Sequence, residues 1–537
     1  MALPTADNNS LYFDLVIYGA TPAGISAAVS ASRGGAKVAL IESSPRGGGL
    51  LVEAALRDEN QLSPAQLGGL WAEFCQEVQK HYSLTDGPDS PQRQATVGGR
   101  YCEPKVAKRI FERWLKGTSR VRTYFKSELQ SVELSLCSQD QLVRIQAIST
   151  LSSDNKEVTF QSGVFLDASY DGALAQAGGV RFRRGRESRA CFGERWAGQL
   201  ANGDTEYASG TWEGSGQAIH PAELPAFPFL LTRNPEMRFP ILPPEGYKSQ
   251  PFEFLLKKIQ SGRFTQLIGC PGQSILEAEP LPNQKVAARL APEVAIQILS
   301  KNFGSAESEE KAPCDPTERW ETSLDCLKNR YLQLMFYLQN DLKIPHPMRV
   351  VAKQWGLPLD EFVESNHLPA TLDMRGTVRL LSKETFTEAS VFHKSNEASG
   401  PTIAISQAPF SARSAGKLRA NGEELATGGF FVVPPPFEIP LGILLPREVA
   451  NLLVVGTPSA SFVGMTALRY ESTAMLLGQA AAIVGWTACE EHPLDRVRLD
   501  QFDRAKLQKR FLNQGLHVSL AAVSSPSEVK LPAARVG

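Results

Sequence analysis

One short stretch restricts this chain more than any other. Phe13–Tyr18 (FDLVIY) is an apolar, β-branched run that reads as a buried parallel strand. The turn Gly19–Gly24 (GATPAG) follows, and then ISAAVSASRGG, a small-residue helix stopped by Gly34 and Gly35. Lys37–Ile41 (KVALI) is a second strand with Glu42 at its end, completing a β–α–β unit. A helix N-terminus offers amide donors and a favourable dipole to a phosphate. Gly19 permits the tight turn, and Gly24 lets the helix pack on the strand. Thr21 stands where the middle glycine of G-x-G-x-x-G would be, and its hydroxyl either points away or donates to phosphate. Pro22 and Ala23 complete the turn. Glu42 can accept both hydroxyls of a ribose and would repel a 2′-phosphate, with Ser43 beside it. Gly48 and Gly49, in the Gly47–Gly49 run, either form a plain flexible loop or bring backbone close to the same ligand. The unit predicts an adenine dinucleotide site.

The rest of the chain sets bounds. Its 537 residues suit two or three domains, and its formal charge of −1 gives no reason to expect nucleic acid as a partner. Eight scattered cysteines contain no C-x-x-C, and neither a metal centre nor an iron–sulfur cluster is expected. The N-terminus lacks the pattern of a secretory signal. The apolar run Met475–Trp486 is too short to span a bilayer, so no membrane span and a cytoplasmic location are expected.

Further along, helices are predicted around Pro64–His81 and over Glu103–Lys116, with a polar loop at Asp86–Arg93 between them. Strands follow near Arg120–Tyr124, Gln130–Leu134, Leu142–Ile148, Val158–Phe160 and Val164–Ala168. A solvated linker is expected over Asn302–Glu318, and long helices over Glu318–Lys343 and Asp373–Ala389. Asn451–Gly456 reads as a strand, Glu471–Val484 as a small-residue helix, and Ala522–Gly537 as a loosely ordered tail. No second strand–glycine turn–helix unit is visible, so a built-in nicotinamide domain is not expected.

With these motifs in place, the chain resembles the bacterial FAD-dependent oxidoreductases of the glutathione-reductase-like superfamily, in the branch that carries G-x-T-P-A-G after its first strand. Similar stretches are Leu166–Ser188, Phe227–Tyr247, Leu338–Phe362 and Phe437–Ala482. The resemblance implies an α/β fold: a Rossmann-like FAD-binding domain, with a parallel sheet and flanking helices, plus an inserted α+β substrate domain. The FAD-binding part would comprise residues 10–177 with 430–490, and the insert 178–429. A C-terminal helix and tail would occupy 491–537. Ala168 and Ser169 would pass near the adenosine or pyrophosphate. Gly456 and Gly478 would lie on the strand and helix beside the ribityl chain and the flavin ring, with the helix N-terminus aimed at the ring.

Where relatives carry histidines, this chain has Arg46 and Phe462, and Ala54–Ala55 replaces a second glycine pair. These departures fall on the ring and substrate side. Candidates for acid, base or anion-binding roles are Arg469, Arg375, His346 and His393. For Arg469, a structural ion pair with Glu471 or another acid stands as the alternative. The implied partners are a small organic substrate and a separate electron donor or acceptor. A flavin-binding protein with little catalysis and an NAD-dependent dehydrogenase remain as other readings.

Overall fold

The computed structural model describes residues 10–54, 56, 58–136, 142–198, 200, 216–218, 227–269, 272–303, 316–373, 375–392, 400–413, 417–420, 423–426 and 429–522. At its centre is a five-stranded sheet in the order Leu452–Val454, Val164–Asp167, Leu15–Tyr18, Val38–Ile41, Val121–Tyr124. Every pairing in it is parallel. All but the Val121–Tyr124 edge strand are buried along their whole length. Near-continuous apolar runs are what strands covered on both faces require.

One face carries the helices Pro22–Arg33 and Glu471–Glu491, packed against each other. Their approach is set by glycine: a Cβ on Gly478 would strike the carbonyl of Ala23. The Glu471–Glu491 helix is long and apolar enough for a membrane span, yet 83% of that apolar window is buried in this core. The other face is covered by an antiparallel layer, Ser127–Leu136, Val143–Ser152 and Glu157–Gln161, with Ser10–Tyr12 added in parallel at its edge. Phe13, Tyr124 and Phe160 interlock between the two layers.

A second sheet, ordered Phe229–Thr232, Lys285–Leu290, Ser274–Leu281, Gln266–Gly269, packs with the helix Pro316–Asn340 around a hydrophobic cluster of its own, from Phe227 to Leu368. A buried ionic joint ties it to the first part. Lys285 Nζ reaches Glu103 Oε1 at 2.5 Å, Asp360 at 2.8 Å and Glu361 Oε1 at 2.9 Å. Tyr82 donates to the other oxygen of Glu103 at 2.8 Å. The three carboxylates are close enough to chelate a cation, and the Lys285 ammonium already stands among them.

Three expectations change. Asp373–Ala389 is not one helix but a strand, Val378–Leu380, paired with Phe182–Arg184, and a separate helix, Glu388–Phe392. Buried Arg379 decides this, because it must reach the carbonyls of Gly376 and Gly185 and the carboxylate of Glu187. The polar loop at Asp86–Arg93 ends in a short helix, Pro91–Ala95, capped by Ser90. Helix Pro292–Phe303 runs into the start of the supposed linker at Asn302–Glu318, whose residues 304–315 lie outside the described set, as do residues 523–537 of the tail.

Candidate functional site

The glycine turn leaves the first strand at the C-terminal edge of the parallel sheet, where ligands of such sheets bind. Gly19 has φ +99°, and a Cβ there would lie 2.6 Å from the amide nitrogen of Ser169. A Cβ on Gly24 would strike the carbonyl of Gly19. The open question at Thr21 resolves inward: its hydroxyl donates to Ala168 O at 2.8 Å and accepts from Gly24 N at 3.3 Å. Thr21 is therefore the helix cap, with Pro22 at the first helical position and Ala23 next. Half-buried Glu42 folds over the turn. Its Oε2 accepts from Ala20 N at 2.7 Å, and its Oε1 accepts from Ser44 N at 2.9 Å and the Ser43 hydroxyl at 3.3 Å.

Three further segments complete this edge. Gly48 and Gly49 have φ +110° and +46°, and Gly48 N donates to Ala20 O at 2.7 Å. A Cβ on Gly49 would come within 2.5 Å of the Tyr170 hydroxyl and 3.0 Å of Pro22 Cδ. After the Val164–Asp167 strand, Ala168 and Ser169 run directly beneath the turn. Asp167 accepts from both the amide and hydroxyl of Ser169. Burial pushes the Asp167 carboxyl up to about 7, against the pull of those bonds. Gly456 closes on the same point, since a Cβ there would strike Ser169 O. The neighbouring Thr457 hydroxyl is buried with no hydrogen-bond partner.

Beside this edge lies a cluster of side chains drawn from distant segments. Arg375 forks onto Asp373 at 2.9 and 3.1 Å and reaches Glu471 Oε1 at 3.1 Å. The Tyr170 hydroxyl donates to the same Oε1 at 3.0 Å and accepts from Leu50 N at 3.1 Å. Arg413 joins Asp373 at 3.3 Å. Burial works to raise the Asp373 carboxyl, but Arg375 and Arg413 more than offset it and hold the group far below the usual range. Burial pushes Glu471 up to about 7, against Arg375 and Tyr170. Among the described residues, Arg469 donates to the carbonyls of Arg375 at 3.2 Å and Ser411 at 2.7 Å. The N-terminus of the long helix is also capped, because Asp58 accepts from Ser472 N at 2.9 Å.

The structure thus brings Arg375 and Arg469 together next to the turn. His346 is elsewhere: it opens an exposed helix, His346–Ala352, packed on Pro316–Asn340 and the strand Gln266–Gly269. His393 lies outside the described residues. Tyr170, Glu471, Asp373 and Asp58 had no motif to mark them as one group, since Glu471 and Asp373 are 98 residues apart. The departures from the expected pattern are filled by packing and pairing. Arg46 is ion-paired to Glu53 and Glu364. Phe462 is buried, with the guanidiniums of Arg186 and Arg379 at 4.5 and 5.9 Å from its ring centroid. Ala54 ends the short helix Gly49–Glu53.

The residues present fit a dinucleotide. Glycines keep side chains out of the turn, a carboxylate stands over it, and the unpartnered Thr457 hydroxyl waits on the same edge. The chain matches the family described as "FAD dependent oxidoreductase" over residues 14–510, and it belongs to that family. It is an FAD-dependent oxidoreductase with an α/β dinucleotide-binding fold. No curated protein matches it.

Solved structures resemble it only distantly. A probable FAD-dependent monooxygenase from Pseudomonas aeruginosa, pqsL, is 11% identical, with 96% of this chain and 94% of that chain covered and a TM-score of 0.32. Thermovibrio ammonificans THI4 is 14% identical, with 33% and 67% covered and a TM-score of 0.24. L-proline dehydrogenase from P. horikoshii is 14% identical, with 31% and 24% covered and a TM-score of 0.19. This chain therefore spans about a quarter of that dehydrogenase.

Proposed function

We propose that the protein oxidises or reduces a small organic substrate in the cytoplasm and exchanges the electrons with a separate donor or acceptor. The observation that carries this reading is the meeting of Glu42, the Gly19 turn and the Gly48–Gly49 loop at one sheet edge. The ADP half of FAD would lie along Gly19–Gly24, with its ribose hydroxyls on Glu42 and its pyrophosphate toward the first turn of Pro22–Arg33. Ser43, Ala168, Ser169, Gly456 and Gly478 would form the surrounding wall. The flavin supplies the hydride or electron chemistry when bound. The protein's own part is to orient it, exclude water and hold protons on Glu471 and Tyr170. Arg375 fixes the position of Glu471, and Arg469 fixes the Arg375 backbone.

The substrate would enter between the part built from residues 10–177 with 430–490 and the insert 178–429. The glutathione-reductase-like branch is the assignment that the G-x-T-P-A-G turn and the terminal acid favour. A second reading, a flavin carrier with little turnover, is favoured by Phe462 and Arg46. One is an apolar ring and the other a paired guanidinium where relatives have an acid–base side chain. Anaerobic mixing of the FAD-loaded protein with a panel of metabolites separates the two. Bleaching of the oxidised flavin band by a metabolite supports the enzyme; a band that stays unchanged across amines, alcohols, hydroxy acids and amino acids supports the carrier.

A further inference from the structure

We infer that Glu471 takes up a proton from water when electrons enter this site, coupling reduction of the bound cofactor to pH. The inference deepens the proposed function and rests on its placement of the cofactor. It starts from an asymmetry. Both donors to this carboxylate, Tyr170 and Arg375, converge on Oε1. Oε2 is buried and has no hydrogen-bond partner. Glu471 as a whole is only 3% exposed. A buried carboxylate oxygen with nothing to accept from is costly when ionised and satisfied when it carries the proton itself.

Its position supplies the link to electron transfer. Glu471 bonds Tyr170, Tyr170 bonds Leu50 N, and Gly48 N in the same loop bonds Ala20 O of the nucleotide turn. Glu471 also opens the helix that crosses the Pro22–Arg33 helix at Gly478, seven residues and about 10 Å further on. Glu194 has a similar unpartnered oxygen, but its bonds run to Ser461 and Glu388, not to the turn.

The surrounding charges define the direction of the effect. Glu471 faces Arg375 and Tyr170, with Asp373 behind Arg375 and Asp58 across the helix start. Arg469 and Arg413 add positive charge next to Arg375 and Asp373, and Glu59 receives the Tyr470 hydroxyl. Burial already raises the Glu471 carboxyl to about 7. Negative charge added nearby by two electrons raises it further. Between the lower and the higher value, one proton moves from water to Oε2 for each two electrons delivered. Below the lower value the group is protonated in both states and no extra uptake occurs.

The test is the pH dependence of the midpoint potential of the FAD-loaded protein, followed by spectroelectrochemistry with a mediator. The wild-type potential should fall more steeply above about pH 7 than Glu471→Gln, by about 30 mV per pH unit for the additional proton of a two-electron couple. Tyr170→Phe removes a donor from Oε1, so the steep region should move to higher pH without disappearing. A purely structural Glu471 would alter FAD retention or melting and leave the slope alone. Equal slopes in wild type and Glu471→Gln overturn the inference while the FAD site stands. If Glu471→Gln does not hold FAD, a Tyr170→Phe slope that coincides with wild type at every pH overturns it equally. A purified wild type that neither contains nor takes up FAD overturns the site assignment itself, and the inference with it.

Discussion

The nucleotide turn and the Glu471 cluster adjoin, yet they are built by opposite means. The turn is made of backbone, and its parts lie within about thirty residues, with glycines keeping space clear and Thr21 and Glu42 fixing amides. The cluster is made of side chains from Tyr170, Asp373, Arg375, Arg413, Arg469 and Glu471, with the Leu50 amide donating to Tyr170. The first is a surface of backbone donors and clear space that suits an anionic ligand. The second is a buried set of charges that neutralise one another, with one oxygen left over. A site of the first kind fails through shape, and one of the second kind through uncompensated charge.

The largest expected effect therefore falls on the turn. Gly19→Val puts a branched side chain at φ +99° against Ser169 N, and the purified variant should retain no FAD by absorbance. A variant as yellow as wild type would break the comparison, because it would mean that the turn does not approach the phosphates.

Arg375→Met comes next. It strands Asp373 and Glu471 in the interior with their principal cation removed, and should cost about 3–5 kcal/mol in denaturant unfolding. A loss under about 1 kcal/mol would place this cluster among weak exposed pairs instead.

A pH series sharpens the same contrast at Glu194, a buried acid outside the cluster. Burial raises its carboxyl to about 7, above the ordinary value for glutamate, so the fold favours the neutral form. The stability it contributes is complete below the unfolded value, near about 4.3, and is lost as pH rises through about 7. Glu194→Gln removes that loss. Its stability relative to wild type should rise between about pH 5 and about pH 8, as read by thermal melts; a pH-independent difference would show that Glu194 is ionised throughout.

Thr21→Val carries the smallest effect. Losing the cap to Gly24 and the bond to Ala168 should cost about 1 kcal/mol and leave FAD in place. If FAD is lost instead, the hydroxyl contacts the ligand and not only the fold.

The same contrast explains what the sequence could reveal. The β–α–β unit, Glu42 and the partly apolar helix Glu103–Lys116 follow from short-range rules: strand runs, glycine turns and helical spacing. The Rossmann-like sheet was legible because its inner strands, Leu15–Tyr18, Val38–Ile41 and Val164–Asp167, are near-continuous apolar runs. The cluster was not, since nothing local links Asp373 to Glu471 or brings Arg469 to the carbonyls of Arg375 and Ser411. Asp373–Ala389 misled for the same reason: its helical spacing was real, but Arg379 needed acceptors that only a strand beside Phe182–Arg184 could provide. Lys285 and its three carboxylates, spread over Glu103, Asp360 and Glu361, were equally invisible.

The claim on which the rest depends is that the turn and Glu42 grip the ADP half of FAD. Its most direct test is a titration of flavin-free protein with FAD and with FMN, followed by flavin fluorescence, in wild type and Glu42→Ala. The account predicts saturable binding of FAD, little binding of FMN at the same concentrations, and a clear loss of FAD affinity in the variant. Equal affinity for FAD and FMN, unchanged by Glu42→Ala, would contradict it.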